Sequence, residues 1–139
     1  MKKIIIASIL LMATTPVYAA KLFKEAYYQN EWCCKYRGIK EYELKDKTRV
    51  DCLTKNYACE FDFAHKWYEG FTQALWYSYN TGKKPCLILI LEKPTDLKYY
   101  NRAKSLSAKY SVRIWYIKSP LYYTNGKALN ALNKLKHIQ

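Results

Sequence analysis

The sequence is poor in the residues that divide chains into linkers and flexible tails. Its 139 residues include four glycines and four prolines, and we find no internal repeat or low-complexity segment. Flexible and Pro-rich linkers depend on such residues, so a multidomain arrangement with long linkers is not expected. A chain of this length is expected to form one domain around a single core.

Long apolar runs are also absent, with one exception at the N-terminus. Met1–Lys3 is positively charged, Ile4–Ala13 is nearly continuous apolar, and small residues lead up to Ala19. An apolar run of ten is shorter than the ~20 residues of a membrane-spanning helix. The pattern is typical of a secretory signal peptide. We therefore expect residues 1–19 to be removed, leaving a single exported domain at 20–139, periplasmic or secreted and with no membrane span.

Zinc-binding spacings are missing. The sequence has two histidines, five cysteines and no Cys-x-x-Cys pair, so metal binding through sulfur is not expected. An exported chain can instead form disulfides. Because five is an odd number, at most two intramolecular bridges form and at least one thiol stays free.

Acidic residues are scarce in the last third of the chain. Residues 93–139 contain ten Lys or Arg and a single acid, Asp96, for a net charge of +9. Residues 20–92 contain twelve basic and ten acidic residues, for a net of +2. A basic surface favours polyanions such as nucleic acid or anionic lipid, and it also serves plain solubility.

Hydrophobic periodicity predicts the element order α-β-β-β-α-β-α-β-α. Residues 86–91 are six uninterrupted apolar residues, which is typical of a strand buried on both faces of a sheet. A meander followed by helical crossovers predicts a three-layer α/β fold with a mixed sheet. The predicted helices are 21–36, 64–82, 96–110 and 124–139, and the predicted strands are 40–44, 49–53, 57–63, 85–91 and 112–117.

The second and third strands are expected to form a hairpin that brings acids together. If Cys52 lies opposite Cys59, then Asp51 lies opposite Glu60, because both pairs sum to 111. Asp62 projects from the same face as Glu60. Facing residues have Cβ atoms about 4.5–5.5 Å apart, so the two carboxylates repel unless a cation lies between them.

These acids admit two interpretations. Mg²⁺ is bound through one or two carboxylates plus water, and with Lys66 nearby the group could activate water against a phosphodiester. Alternatively, Asp51 pairs with Arg49 or Lys66, and Asp62 caps the following helix.

The segments "RVD", "CEFDFAHKW", "GFTQALWYSY" and "PCLILI" resemble the PD-(D/E)xK nuclease superfamily, and within it the RecB-like branch. Asp51 and Glu60 match its two acids, and Gln73 with Tyr77 matches its Gln-x-x-x-Tyr helix motif. The resemblance implies a restriction-endonuclease-like three-layer αβββαβ core. It also implies Mg²⁺ or Mn²⁺ as the metal.

One position departs from the family pattern. Asp62 stands where the family has its catalytic lysine, and Lys66 is the candidate substitute, displaced to the start of the helix. The resemblance then implies catalytic roles for Asp51, Glu60, Lys66 and Gln73, and metal ligation by Asp51, Glu60, Asp62 and Glu25.

The function expected from these features is an exported, metal-dependent nuclease acting on nucleic acid phosphodiesters. The alternative is a catalytically inactive nuclease-fold module that binds nucleic acid or a protein partner in the periplasm, and the missing lysine at position 62 favours it. In both cases the basic helix at 96–110 would contact the phosphate backbone. Its candidate residues are Lys98, Arg102, Lys104 and Lys109.

Two disulfide arrangements are open. A bridge from Cys52 to Cys59 would join the hairpin strands, whereas a bridge from Cys33 or Cys34 to Cys52 would join the first helix to the sheet. The chain also resembles small exported bacterial proteins that share the "RVDCLT" and "DFA-x-KW" block, and this resemblance implies the second arrangement. Cys86, at the start of the buried strand, is expected to be a free, inert thiol.

Overall fold

A computed structural model of the protein describes residues 24–124. It confirms an α/β fold with a mixed five-stranded sheet between layers of helix. The helices are α1 (Glu25–Lys35), α2 (Trp67–Thr81) and α3 (Leu97–Tyr110). The strands are β1 (Ile39–Glu43), β2 (Arg49–Leu53), β3 (Tyr57–Phe63), β4 (Lys84–Leu91) and β5 (Arg113–Lys118).

The strands lie in the order β1-β2-β3-β4-β5. β1, β2 and β3 form an antiparallel meander, whereas β3, β4 and β5 are parallel and are connected through α2 and α3. β4 is flanked on both sides, and every residue from Pro85 to Leu91 is buried. This confirms the strand predicted from the uninterrupted apolar run.

The helices cover the two faces of the sheet unequally. α1 packs on one face, where its Cys33 joins Phe61 and Ile88 in the core. α2 and α3 pack on the other face, against the alternate side chains of β4 such as Leu87 and Leu89. The two faces of one buried strand therefore supply both core layers, as period-two alternation requires.

Local sequence explains where the helices end. α1 has Glu25 in its first turn and Lys35 in its last, which matches the helix dipole. α2 ends at Gly82, whose φ of 67° and N–H bond to the Ser78 carbonyl form a left-handed cap. Asp96, the single acid of the basic segment, is buried and accepts the N–H groups of Glu92 and Lys93.

Some sequence predictions fall outside the described residues. These are the signal peptide at 1–19 and, beyond Thr124, the last helix at 124–139. Between residues 24 and 124, no helix has both the length and the apolar character needed to cross a membrane.

Candidate functional site

Asp51 lies where the β2–β3 hairpin stops being a regular ladder. The paired residues are Cys52 with Cys59 and Leu53 with Ala58, which confirms the predicted register. At the next position the Asp51 side chain enters the ladder, and its Oδ2 accepts the backbone N–H of Phe61 at 2.8 Å.

This irregularity corrects one expectation about β2. Strict alternation would put Val50 and Cys52 on one face of the sheet. In the structure Val50 packs with Ala58 and Tyr77, whereas Cys52 packs in the separate cluster of Cys33 and Phe61. The alternation of side chains along β2 breaks at Asp51. There the Asp51 carboxylate, and not a backbone carbonyl of β2, accepts the N–H of Phe61.

Glu60 faces Asp51, as the register predicted, and the two carboxyls are hydrogen-bonded to each other. Burial, followed by the charges of Asp51, Glu25 and Asp62, raises the pKa of Glu60 to about 10. Burial also raises the pKa of Asp51 to about 6, opposed by the hydrogen bond from Phe61. Burial and the neighbouring negative charges therefore favour the protonated, neutral form of Glu60 beside Asp51.

Asp62 is the third acid on this face of β3. It is 5% exposed, and burial raises its pKa to about 6, opposed chiefly by the charge of Lys66. Its Oδ1 and the Oε2 of Glu60 are buried without a hydrogen-bond partner. Buried carboxylate oxygens left without a donor are costly, so this pair of atoms calls for a ligand.

The structural alternatives for these acids are not formed. Arg49 lies 3.8 Å from Glu43 and not beside Asp51. No side chain caps the 3₁₀ turn Ala64–Lys66 or the start of α2, so Asp62 is not a helix cap.

Glu25 reaches the same cluster from α1. Burial, then the charges of Asp51 and Asp62, raises its pKa to about 7, and Lys66 opposes the shift. The structure thus brings together the four acids named as metal ligands, from one helix and two strands.

Two further members of the cluster were not predicted. Gln29 is buried, and its Nε2 donates to Glu41 Oε1 at 2.6 Å and to the backbone oxygen of Asp51 at 2.9 Å. Glu41 has a φ of 52°, and its charge acts on Asp51 and Glu25. The β1–β2 pairs on either side, Lys40 with Cys52 and Tyr42 with Val50, bring Glu41 near Asp51. The register of the β1–β2 pairing was not predicted from the sequence.

Lys66 lies near the cluster without contacting it closely. It is exposed at the residue before α2, and its charge lowers the pKa values of Asp62 and Glu25. Within residues 24–124 the salt bridges are those of Lys47 and Arg49 with Glu43, so Lys66 has no carboxylate within 4.0 Å.

The helix motif is only partly directed at the site. Tyr77 is buried, and its pKa is raised by burial and by the charges of Glu60 and Asp51. Gln73 is exposed, and its side chain opposes the rise in the pKa of Tyr77. Tyr77 is therefore the motif residue beside the acids.

The acids are close, but their side chains do not converge on one point. In the described part of the chain, no group of three His, Cys, Asp or Glu is arranged to hold a metal ion.

The predicted nucleic-acid contacts lie on a different element. Lys98, Arg102, Lys104 and Lys109 are exposed along α3. Lys98 and Arg102 lie over the ring of Tyr99, at 4.8 and 5.7 Å from its centroid. None of the four is among the principal charges acting on the acid cluster.

The cysteine pairing decides between the two arrangements. Cys33 of α1 is bonded to Cys52 of β2, with a sequence separation of 19. Cys34 is exposed and free, and Cys59 is buried opposite Cys86, both of them free thiols. Cys34 and Cys59 were therefore wrong as disulfide candidates, because α1 presents only Cys33 to the face on which Cys52 lies.

Comparison with known proteins adds no relative. No protein-family model matches the chain, and neither the curated proteins nor the solved structures contain a significant match.

Proposed function

We propose that this protein is an exported, metal-dependent nuclease-like hydrolase acting on nucleic acid phosphodiesters. The observation that carries the proposal is the cluster of buried acids around Asp51 and Glu60, in which Glu60 Oε2 and Asp62 Oδ1 have no hydrogen-bond partner among residues 24–124. A bound cation would stabilise the charged forms of these acids, which burial and then mutual repulsion disfavour.

The oxygen donors of these acids are the ligand type that a hard divalent cation prefers, although within residues 24–124 the side chains are not arranged around one point. Mg²⁺ and Mn²⁺ prefer carboxylate oxygen and water, and Mg²⁺ typically takes only one or two carboxylates from the protein. Asp51 and Glu60 would be the ligands after Glu60 loses its proton, with Asp62 and Glu25 as further ligands. The bound metal would supply an activated water and polarise the phosphate.

The proposal also gives roles to other residues near the acid cluster. Lys66 would stabilise the charge that develops on the phosphate, from its exposed position at the rim near Asp62 and Glu25. Gln29 would keep Asp51 in place through its backbone oxygen, and Gln73 would act through Tyr77. The Cys33–Cys52 disulfide supports export to an oxidising compartment.

A second function is favoured by the position of Lys66. Because this lysine forms no ion pair with any residue from 24 to 124 and Asp62 occupies the place of the family lysine, the protein could bind nucleic acid or a periplasmic protein partner without cutting. The two functions share the fold and the basic surface and differ only in metal-dependent turnover.

A cutting assay separates them. The domain 20–139 would be incubated with single- and double-stranded DNA and with RNA, in Mg²⁺, Mn²⁺ or chelator. We expect metal-dependent cutting that falls by at least about a hundredfold in Asp51→Asn, Glu60→Gln and Lys66→Met. Glu31→Gln, at an exposed acid on α1, serves as the matched control and should retain wild-type activity.

Metal binding is measured independently by the melting temperature. Mn²⁺ should raise it in wild type and in Lys66→Met, but not in Glu60→Gln. Salt-sensitive binding of nucleic acid without cutting or metal stabilisation would assign the protein to the second function.

A further inference from the structure

A cluster of half-exposed aromatic rings lies on the face of the sheet opposite α2. Trp115 of the edge strand β5 is 5.6 Å from Trp32 and 5.7 Å from Tyr57, between ring centroids. Tyr36, 51% exposed, lies 4.2 Å from Trp32, and its ring is 15° from parallel to that of Trp115. The rings of Trp32, Tyr36 and Trp115 line a shallow groove of about 330 Å³ along β5. We call it the aromatic groove.

Two cations lie over rings of the aromatic groove, whereas the acid Glu31 lines an adjacent pocket together with Trp32, Lys35 and Lys118. Arg113 lies over the Trp115 ring at 6.0 Å, and Lys35 lies over Tyr36 at 5.8 Å. No acid lines the groove. Exposed rings that carry cations on their faces attract flat, electron-rich groups attached to an anionic chain.

A second groove lies next to the first, and the two are linked by the contact between the rings of Tyr57 and Trp115. It has a volume of about 250 Å³, and Tyr57 and Arg113 belong to its wall. Lys84 and Lys104 complete its positive charge, and Ser107 and Ser111 add hydroxyl groups, again without an acid. We call it the basic groove. It lies at the N-terminal ends of β3, β4 and β5, away from Asp62 and Lys66 at the other end of β3.

Self-association through the β5 edge is disfavoured by the same charges. An edge strand can pair with a copy of itself. An antiparallel β5–β5 pair in full register would place Arg113 of one protomer beside Lys118 of the other. Two such like-charge contacts oppose the dimer and favour an anionic partner.

We propose that the aromatic and basic grooves together bind single-stranded nucleic acid. The bases stack on Trp115 and Tyr36, and the phosphates follow Arg113, Lys84 and Lys104. Single-strand binders combine these same two parts, a basic track and a series of stacking rings. The site is separate from the acid cluster and needs no metal, so it goes beyond the proposed hydrolysis.

Fluorescence anisotropy with a labelled 20-nucleotide oligo-dT in chelator tests the proposal. Tyr36→Ser should weaken binding about tenfold, within the range that stacking of a base on a ring contributes. Tyr79→Ser is the matched control, since Tyr79 is 82% exposed on α2, and it should stay within about twofold of wild type. Arg113→Gln should lower the slope of log K against log salt by about 0.7, the value for one phosphate contact on a single strand.

Two other ligands make the outcome decisive. An abasic sugar–phosphate strand of equal length and a DNA duplex should each bind at least about tenfold more weakly than oligo-dT. Equal affinity for the abasic strand, or equal effects of Tyr36→Ser and Tyr79→Ser, would overturn the proposal in favour of general polyanion binding. Concentration-dependent dimerisation abolished by Trp115→Leu, with no oligo-dT binding, would assign the groove to a second copy instead. All of these binding measurements are made in chelator, without a metal ion. Their outcome therefore does not depend on whether the protein cuts nucleic acid.

Discussion

At the scale of single residues, one proton determines the state of the acid cluster. Glu60 keeps its proton at neutral pH because it is buried beside Asp51, Glu25 and Asp62. The cluster is therefore a high-energy arrangement without a cation, and its stability must depend on pH in a direction opposite to that of ordinary surface-paired acids.

The first prediction concerns pH. The folded pKa of Glu60 is about 10 against an ordinary 4.5, that of Glu25 about 7 against 4.5, and those of Asp51 and Asp62 about 6 against 3.8. The folded state thus holds protons that the unfolded chain has lost, so the contribution of these four acids to stability is greatest below about pH 4 and falls as pH rises toward 10. In chelator, we expect a melting temperature at least about 5 °C lower at pH 8 than at pH 5.

Glu60→Gln tests whether ionisation of Glu60 causes the expected fall in melting temperature between pH 5 and pH 8. A glutamine reproduces the neutral form, so the melting temperature at pH 8 should equal or exceed that of wild type, and the fall from pH 5 to pH 8 should shrink. Glu31→Gln should change neither value. A wild-type protein that is more stable at pH 8 than at pH 5 in chelator would show that Glu60 is ionised in the fold.

At the scale of elements, α1 is held against the sheet at two points. The Cys33–Cys52 bond ties it to β2, and Gln29 ties it to Asp51 and Glu41. Gly38 follows the helix and lies against both sulfur atoms of the disulfide, where a Cβ would collide with them. The helix that supplies Glu25 is therefore positioned by covalent and polar contacts more than by a long apolar face.

The disulfide should contribute strongly to stability. Cys33→Ser is expected to lower the free energy of unfolding by about 3 kcal/mol, the typical value for a closed loop of this length. Cys34→Ser, at the neighbouring exposed thiol, should have no measurable effect. Urea unfolding with and without reductant measures both, and reductant should affect wild type but not Cys33→Ser.

α2 approaches the sheet closely at Gly70. A Cβ at this position would lie 2.7 Å from Leu87 Cδ1 and 3.2 Å from Asp62 Cβ. Gly70→Ala should therefore destabilise the fold by about 1–3 kcal/mol through overpacking and displace Asp62. Thermal unfolding checks the first effect, and loss of Mn²⁺ stabilisation checks the second. Ala74→Gly, one turn away on the same buried face of α2, is the comparison variant. It measures the effect of exchanging alanine and glycine in this helix at a position where alanine already fits.

At the scale of the whole molecule, charge is divided between regions. The acids gather around Asp51 on one part of the sheet, while the cations dominate α3 and the ends of β4 and β5. A formal net charge of +13 over the full sequence gives the molecule a general attraction for polyanions. Which cations contact a bound strand is decided by their arrangement and not by the total.

The charge distribution gives a prediction about salt. Replacing the four α3 cations Lys98, Arg102, Lys104 and Lys109 by Gln should reduce the slope of log K against log salt by more than 1, because several phosphate contacts are lost. The matched control replaces four exposed lysines of the β1–β2–β3 region, Lys40, Lys45, Lys47 and Lys55. Equal slopes in the two quadruple variants would mean that binding follows net charge alone.

The sequence by itself determined the element order, the three-layer fold and the facing pair Asp51 and Glu60. Apolar alternation sets the strand faces, and a hairpin register follows from a single facing pair. These are local or short-range properties, so they can be read from neighbouring residues.

The tertiary structure decided what those acids do. Only packing shows that Glu60 is buried enough to keep a proton, that Gln29 holds Glu41 and Asp51 from another element, and that Cys33, not Cys34, reaches Cys52. Burial, electrostatic coupling and helix rotation depend on contacts between residues far apart in the chain. The same holds for the aromatic groove, in which Tyr36 and Trp115 meet although 79 positions separate them in the sequence.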